Sequence, residues 1–437
     1  MKKIVPKILK GFRDYLPEKM IQRERIIDIV KNIYKRFGYE PLETPALEYA
    51  QTLLGKYGDE GEKLVYRFRD YGNREVALRY DLTVPLARVI SMYPNLSFPF
   101  KVYQISPVWR AEKPQKGRFR EFIQCDLDII GSSSMIADAE IIQIIYKVMK
   151  ALNFDQFVIQ INNRKILDGL ISYLKINQEK SLSIFRTLDK LEKIGVQKVK
   201  EELSKQEIEK KKVEKILEFI KIEGKNQQIL NKTKKLLQKS IKSQEGIKEL
   251  EAIVNYARVL EIPEKNLKIN FSIVRGLDYY TGSVFETRLL ECPDVGSVFS
   301  GGRYDNLIGM FSEKNIPAVG ASLGIDRIFS AMETLKMLPE KKSTTKVLVT
   351  IFDKSTEVFS LKLAQQLRDL KINTEIYLGK GNLSKQFKYA DKKKIPFVVI
   401  IGPKEIERKE ITIKELKSGK EKKIKTEELK EILKLIK

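Results

Sequence analysis

Two periodicities divide the 437-residue chain into helical and extended stretches. Residues 20–38, MIQRERIIDIVKNIYKRFG, place Ile26, Ile27, Val30, Ile33, Tyr34 and Phe37 on one helical face, and Gly38 stands where a left-handed glycine would end the helix. Residues 64–70 and 74–80 read as strands bracketing Tyr71-Gly72-Asn73, a hairpin. LTVPLARVISMY, from Leu82, predicts a helix with Pro85 in its first turn. Strand patterns at 101–110 and 119–130 are joined by the polar stretch AEKPQKGR, and a helix follows over about Ser134–Leu152.

From about Arg164 to Pro263 the pattern changes to Lys, Glu, Leu and Ile at helical spacing, with few aromatics or glycines. The heptads are not sustained, so this reads as a helical insertion rather than a coiled coil. Strands resume at Leu267. In FSIVRGLDYYTGSVFE, residues 271–286, Arg275, Asp278, Tyr279 and Tyr280 interrupt strand-like alternation, and the expectation is a strand whose end presents these side chains. Residues 315–335 pass from a strand through a glycine turn into an amphipathic helix. PEKKSTTK has the composition of a linker. Beyond it, KVLVTIF, a helix over 355–370, NTEIYL, a helix over 383–393 and PFVVIIG alternate as β-α-β-α-β, the pattern of a compact α/β module.

Composition narrows the chemistry. No apolar run approaches the roughly 20 residues that cross a bilayer, and the basic start lacks a secretory apolar segment, so a cytoplasmic protein without a membrane partner is expected. The formal charge of +24 points to a polyanionic partner. Cys125 and Cys292 are too few for a disulfide framework or a zinc site, and read as reduced structural thiols. The chain contains no histidine. That removes Ser-His-Asp and Cys-His nucleophile activation, histidine acid–base work and histidine-ligated metals. Any catalysis must rest on arginine, carboxylates, tyrosine, amides or a bound metal.

Three stretches carry such groups. In WRAEKPQKGRFREFIQ, residues 109–124, alternation puts Arg110 and Glu112 on one face of the first strand, and Arg118, Arg120, Phe122 and Gln124 on one face of the second. An arginine-rich sheet face with an interleaved aromatic suits a nucleotide: arginines grip phosphates and a ring stacks on a base. The second stretch is 271–286. The third combines SGGRYD at 300–305 with VGASLGIDRI at 319–328, whose glycines permit close backbone approach. Neither G-x-x-x-x-G-K-[ST] nor G-x-G-x-x-G occurs, so P-loop and Rossmann routes to a nucleotide are unsupported.

Together these stretches resemble the histidyl-tRNA synthetase family of class II aminoacyl-tRNA synthetases. The Arg110-x-Glu112 to Gln124 hairpin looks like the second class motif, and Gly320 to Arg327 looks like the third. Arg-Gly-Leu-Asp-Tyr-Tyr and Gly-Gly-Arg-Tyr-Asp are similar to the two histidine-specific signatures. GFRDYLP, LRYDLT and Gly-Asn-x-x-Lys-Gln-Phe also fit, in the expected order over nearly the full chain.

The resemblance implies an α+β fold: a class II antiparallel-sheet catalytic domain with a helical insertion, plus a C-terminal α/β anticodon-binding domain. The expected boundaries are 1–163 and 265–336 for the catalytic domain, 164–264 for the insertion, 337–345 for a linker and 346–437 for the last domain. It implies a ligase that joins L-histidine and ATP into histidyl-adenylate, then transfers the histidyl group to the 3′ end of tRNA(His). The family's arrangement puts Arg110 and Arg275 at the α-phosphate as the catalytic pair, Glu112 on the adenine amino group, Phe122 and Arg327 on the two sides of the ring, and Arg118 among the ATP contacts. Mg²⁺ is expected on the β- and γ-phosphates, with no metal site assignable to side chains alone. Asp81, Leu82, Thr83 and Gln124 match the positions that receive the substrate's α-ammonium. Many bacterial members read Pro-Glu-Gly-Thr where this chain has Tyr-Asp-Leu-Thr, a form that resembles the archaeal and eukaryotic branch. For the imidazole, Asp128 would accept and Tyr280 donate, with Tyr279 and Tyr304 shaping the walls. Gln115 would meet the tRNA acceptor end, and a homodimer is implied. Two rivals share the resemblance: a non-aminoacylating regulatory paralogue of ATP phosphoribosyltransferase, and a synthetase-like tRNA sensor.

Overall fold

The computed structural model describes residues 4–55, 62–115, 117–274, 279–339 and 343–436, the side chains of residues 192 and 193 excepted. Two compact units are present: residues 1–13 with 26–337, and residues 14–25 with 338–437.

Helix α1 (Pro17–Arg36) belongs to the larger unit from Ile26 onward, where it buries Ile26, Val30, Ile33 and Tyr34, and Gly38 follows with φ +78°. The Tyr34 hydroxyl donates to the Cys125 carbonyl at 3.1 Å. Three short strands, β2 (Leu47–Tyr49), β3 (Arg67–Arg69) and β4 (Glu75–Leu78), form a small antiparallel sheet in the order β2-β4-β3. The predicted hairpin joins β3 to β4 with Asn73 at φ 58°. Helix α2 (Thr83–Met92) then leads to the long strands β5 (Phe100–Trp109) and β6 (Glu121–Ile130). Helix α3 (Met135–Ala151) is capped by the Ser134 hydroxyl on the Ile136 amide, and β7 (Phe157–Asn163) follows.

Residues 164–259 supply helices α4 (Arg164–Tyr173) through α9 (Ile241–Val259), as the spacing predicts. The chain returns to the sheet as β8 (Leu267–Ile269), β9 (Ser283–Leu289), β10 (Ser297–Arg303) and β11 (Ala318–Gly324). Helix α10 (Ile325–Thr334) follows directly. With the two-residue strand β1 (Glu40–Pro41) the sheet order is β1-β5-β6-β11-β10-β9-β7-β8. Its six central strands are antiparallel neighbours, and the short edge strands pair in parallel.

One expectation fails. Residues 271–274 make a turn and loop rather than a strand. The Asn270 carboxamide oxygen accepts from the Ser272 amide and hydroxyl at 3.0 and 2.7 Å. Buried Asn162 donates to the Phe271 and Ile273 carbonyls at 3.3 and 2.7 Å. These local bonds take up backbone groups that a sheet ladder would otherwise use.

The smaller unit holds a second sheet ordered β13-β12-β14-β15-β16. Strands β12 (Val347–Val349), β13 (Thr374–Ile376) and β14 (Phe397–Ile400) are parallel, and β15 (Glu410–Glu415) and β16 (Glu421–Lys425) extend it antiparallel. Val347 and Val349 pack with Leu363, Ala364 and Leu367 of α11 (Glu357–Asp369). Leu348, between them, faces Ala390 of α12 (Leu383–Lys393). Alternation along one strand thus serves two helices, as a buried parallel strand requires. The closing β15–β16 hairpin is not among the predicted elements: lysines on its outward positions dilute a pattern whose apolar members are Ile411, Ile413 and Ile424.

Gln386 ties α12 to the end of β12. Its carboxamide accepts from the Ile351 amide at 3.0 Å and donates to the Ile351 and Gly381 carbonyls at 2.6 and 3.2 Å. Gln386→Leu leaves these groups without their partner at a buried position, a cost of about 1–3 kcal/mol. The expected outcome is faster amide hydrogen exchange at Ile351 in the full-length variant than in the wild type.

Candidate active site

Cross-strand register builds the site. One row across the large sheet runs Val102, Asp128, Gly320, Gly302, Val284, and the next runs Gln104, Asp126, Ser322, Ser300, Glu286, Gln160. Because side chains alternate along a strand, Gln124, Asp126 and Asp128 of β6 share one face while Cys125 is buried on the other. A cavity of about 380 Å³ opens on the first face. Its walls bring together Asp81, Thr83, Arg110, Glu112, Arg118, Phe122, Gln124, Asp128, Tyr279, Tyr280, Tyr304 and Arg327, all singled out from sequence. Leu82 is absent from the wall; its side chain is fully buried and its carbonyl accepts from Gln104 at 3.1 Å. Gln115 is also outside it, exposed in a tight turn with Arg118. Arg275 lies outside the described residues.

At one end stand the carboxylates. Asp128 accepts from the Tyr304 hydroxyl at 2.6 Å, so Tyr304 is a hydrogen-bonding member of the site and not only a wall. Glycine 320 makes room for this acid: a Cβ there would lie 1.8 Å from Asp128 Oδ1. Glycine 302 does the same for Tyr280, whose ring would be 2.9 Å from a Cβ. Tyr279 and Tyr280 meet edge to face with centroids 4.6 Å apart. Asp81 accepts from the Val84 amide at 3.0 Å at the start of α2. Gln124 donates to Ser322 at 2.6 Å, and its carboxamide oxygen is buried without a partner among the described residues.

Asp126, not singled out from sequence, joins this group between Gln124 and Asp128. Its place was readable from the same period-two alternation. Burial, then the neighbouring Asp128, push its carboxyl well above the ordinary range. Asp128 is raised to about 7, by burial first and by Asp81 to a lesser extent, against the pull of the Tyr304 hydrogen bond. Burial also pushes the Tyr280 and Tyr304 hydroxyls well up.

At the other end stand the arginines. Arg110 donates through Nε to the Tyr80 carbonyl at 3.0 Å, and its guanidinium lies 4.3 Å from the Tyr80 ring and 5.2 Å from the Phe122 ring. Burial disfavours its charge, but Tyr80, Glu112 and Asp81 outweigh that and raise its pKa. Arg118 pairs with Glu112 at 3.2 Å, and Arg327 donates to the Ser297 carbonyl at 2.5 Å.

The ladder differs from the alternation expected at the hairpin tip. Strands β5 and β6 end at Trp109 and Glu121, so Arg118 and Arg120 do not share a strand face. Arg120 turns away from the cavity, donating to the Glu112 and Lys10 carbonyls at 3.1 Å each, while its amide bonds the Gly11 carbonyl. No group of three or more acidic or thiol side chains is placed to hold a metal ion among the described residues. The cavity is therefore two-signed: an acidic, hydroxyl-lined end suits a cation with hydrogen-bonding ring atoms, and an arginine-lined end with a stacking ring suits a nucleotide.

A family model described as "Histidyl-tRNA synthetase" matches residues 11–328, and one described as "Anticodon binding domain" matches 346–435. A curated relative from Clostridium tetani, "Histidine--tRNA ligase", is 42% identical over 437 residues, covering 99% of this chain and 98% of its own length. A solved histidyl-tRNA synthetase from Nostoc sp. PCC 7120 is 36% identical with a TM-score of 0.88, over 99% of this chain and 100% of that one. An ATP phosphoribosyltransferase regulatory subunit/histidyl-tRNA synthetase structure from Bacillus halodurans shares the fold, at 21% identity and TM-score 0.76 over 89% of this chain and 97% of that one.

The raised Asp128 carboxyl has a thermodynamic sign. A group that holds its proton more tightly when folded favours the native state at low pH; that contribution is full below about 4 and is lost as pH rises through about 7. Asp128→Asn keeps an acceptor for Tyr304 without the buried charge. It should stabilise the ligand-free protein at pH 8 by at most about 4 kcal/mol, the equivalent of the three-unit displacement, with the gain vanishing toward pH 4. Denaturation followed by Trp109 fluorescence across that range checks this.

Proposed function

The chain belongs to the histidyl-tRNA synthetase family, it is a class II histidine–tRNA ligase that uses ATP, and we propose that the two-signed cavity is where it activates histidine. The observation that carries this is the buried Asp128–Tyr304 pair facing Tyr280 across one cavity from Arg110. Neutral imidazole has one donor and one acceptor. Asp128 takes the ring N–H and the Tyr280 hydroxyl serves the other nitrogen. Asp81, Thr83 and the Gln124 oxygen, unpartnered among the described residues, receive the α-ammonium. A site built on such bonds rejects analogues that lack them by roughly 10⁴-fold, so no editing is required.

For activation, the histidine carboxylate attacks the α-phosphate and pyrophosphate leaves. The carboxylate is already a nucleophile, so no general base is needed; positioning and charge neutralisation suffice. Arg110 and Arg275 flank the α-phosphate, Glu112 holds the adenine amino group, Phe122 and Arg327 cover the ring, and Arg118 reaches the phosphates. Mg²⁺ neutralises the β- and γ-phosphates when ATP is bound. Among the described residues the arginine end offers cations and carbonyls, and its two acids, Glu112 and Asp326, are paired with Arg118 and Arg13, which suits a nucleotide-borne ion rather than a resident one. Next, the 3′-terminal hydroxyl of tRNA(His) attacks the adenylate carbonyl and AMP leaves, with Gln115 at the acceptor end and residues 346–437 at the anticodon. We assign 1–163 and 265–336 to catalysis, 164–264 to an insertion and 337–345 to the linker. A cytoplasmic location follows from the reaction; no helix among the described residues is long and apolar enough to cross a membrane.

We also propose a homodimer. Between the β2–β4–β3 sheet and α2 lies a groove of about 810 Å³, and Leu47, Tyr49, Met92 and Tyr93 on its walls are exposed. A second copy covering that face accounts for them, and sedimentation equilibrium should return twice the chain mass of 50.6 kDa.

ATP–pyrophosphate exchange with histidine as the sole amino acid tests the function. Exchange excludes the non-aminoacylating paralogue and the tRNA sensor; its absence from folded protein overturns the proposal. Arg275→Ala should lower exchange by at least about 100-fold while tRNA retention persists, and normal exchange in that variant refutes the role given to Arg275.

A further inference from the structure

The Gly-Gly-Arg-Tyr-Asp signature contains an arginine that the proposed mechanism does not use. Arg303 lies behind the cavity, not on its wall, with a side chain 3% exposed. Its guanidinium pairs through Nη2 with Asp138 of α3, itself fully buried, and Nε approaches the same carboxylate at 3.3 Å. The remaining guanidinium N–H groups reach the Ser132 carbonyl at 2.8 Å, the Ser134 carbonyl at 3.3 Å and Asp305 at 3.5 Å. A buried ion pair is weak evidence for stability, since a well-packed apolar pair often serves as well. What distinguishes this one is what hangs on it.

Asp138 also accepts from the Ser283 hydroxyl, at the start of β9. The Arg303 carbonyl accepts from the Thr281 amide at 2.8 Å, and the Thr281 hydroxyl donates to Asp305 at 2.7 Å while accepting from the Asp305 amide at 3.1 Å. Glycine 282 passes so close that a Cβ would sit 3.1 Å from Arg303 Cδ. Residues 281–283 are thereby pinned on both sides of Arg303. The segment begins directly after Tyr279 and Tyr280, and Arg303 itself directly precedes Tyr304. Tyr280 and Tyr304 beside Asp128, and Tyr279 packed on both, are thus referenced to Arg303 and, through Asp138, to α3, which begins five residues beyond Ile130.

We propose that Arg303 is a positioning residue that sets the spacing between Tyr280, Tyr304 and Asp128, and hence the selectivity of the cavity for imidazole, through Asp138, Thr281 and Asp305. This rests on the reading of the cavity as the histidine site. The pair touches neither the arginine end nor Phe122, so its effect falls on histidine and leaves ATP alone.

The test is ATP–pyrophosphate exchange with separate KM values for histidine and ATP. Thr281→Val is isosteric, leaves the buried pair intact and removes the hydroxyl's bonds to Asp305 together with its 3.4 Å approach to the Arg303 carbonyl. Arg303→Met combined with Asp138→Leu removes both charges at once, so that neither is left buried alone. Each variant should raise the histidine KM by about 10- to 100-fold, the scale of a sub-ångström to one-ångström misplacement, with the ATP KM within about twofold of wild type. Arg303→Lys, which keeps the charge but not the fork, should fall between. Wild-type histidine KM in Thr281→Val, or in a folded double variant, overturns the inference, as does an equal rise in both KM values. If the double variant does not fold, Thr281→Val decides alone. Wild-type exchange separates the two claims: its absence overturns the functional reading and this inference with it, whereas normal wild-type exchange with unmoved variant KM values overturns the inference only.

Discussion

Burying negative charge on the face of a sheet is the constraint around which the larger unit is organised. An ionised carboxylate away from water is costly unless it is paired or hydrogen-bonded, and here Asp81, Asp126 and Asp128 line one cavity. The fold meets this cost by local means: the start of α2 for Asp81, Ser322 and Gln124 beside Asp126, and Tyr304 for Asp128. What is left uncompensated appears as carboxyls displaced upward by burial. In the proposed histidine site, a substrate bringing an ammonium and a ring N–H would relieve that condition, so that binding and electrostatic relief coincide. Perturbed acids of this kind cluster at functional sites.

The sheet's antiparallel register is what makes the cluster possible. Asp128 and Gly320 are cross-strand partners, and Gly320 is partnered in turn by Gly302. Two adjacent strands that both carry glycine in this row leave a trough occupied by an acid and a tyrosine ring. Any side chain at either position would fill that trough. The glycines therefore belong to the specificity of the site as fully as the groups that bond to the ligand.

Much of this was legible from sequence wherever a period governed it. Periodicity located β5, β6, α2, α3 and the α/β succession of the smaller unit, and twelve of the residues singled out from sequence line one cavity. Asp126 obeyed the same alternation as Gln124 and Asp128 and needed only that rule. Where interactions span distant segments, local patterns are silent. Tyr304 finds Asp128 across 176 residues, and Arg120 is drawn from the cavity by the Lys10 carbonyl, 110 residues away. The failed strand at 271–274 has a nearer cause, because Asn270 and Asn162 compete with the ladder for the same backbone groups. The β15–β16 hairpin was hidden by its own lysines.

The complete lack of histidine has a consequence for how the site can be observed. Imidazole ring nitrogens resonate where no other side-chain nitrogen does, and this protein contributes none of them. In a complex with histidine, every imidazole signal belongs to the ligand, with no background to subtract and no isotope labelling of the protein. The tautomer and charge of the bound ring, and through them whether Asp128 carries a proton in the proposed site, become directly readable in a 50.6 kDa chain. The molecule is transparent at the one frequency window in which its substrate speaks.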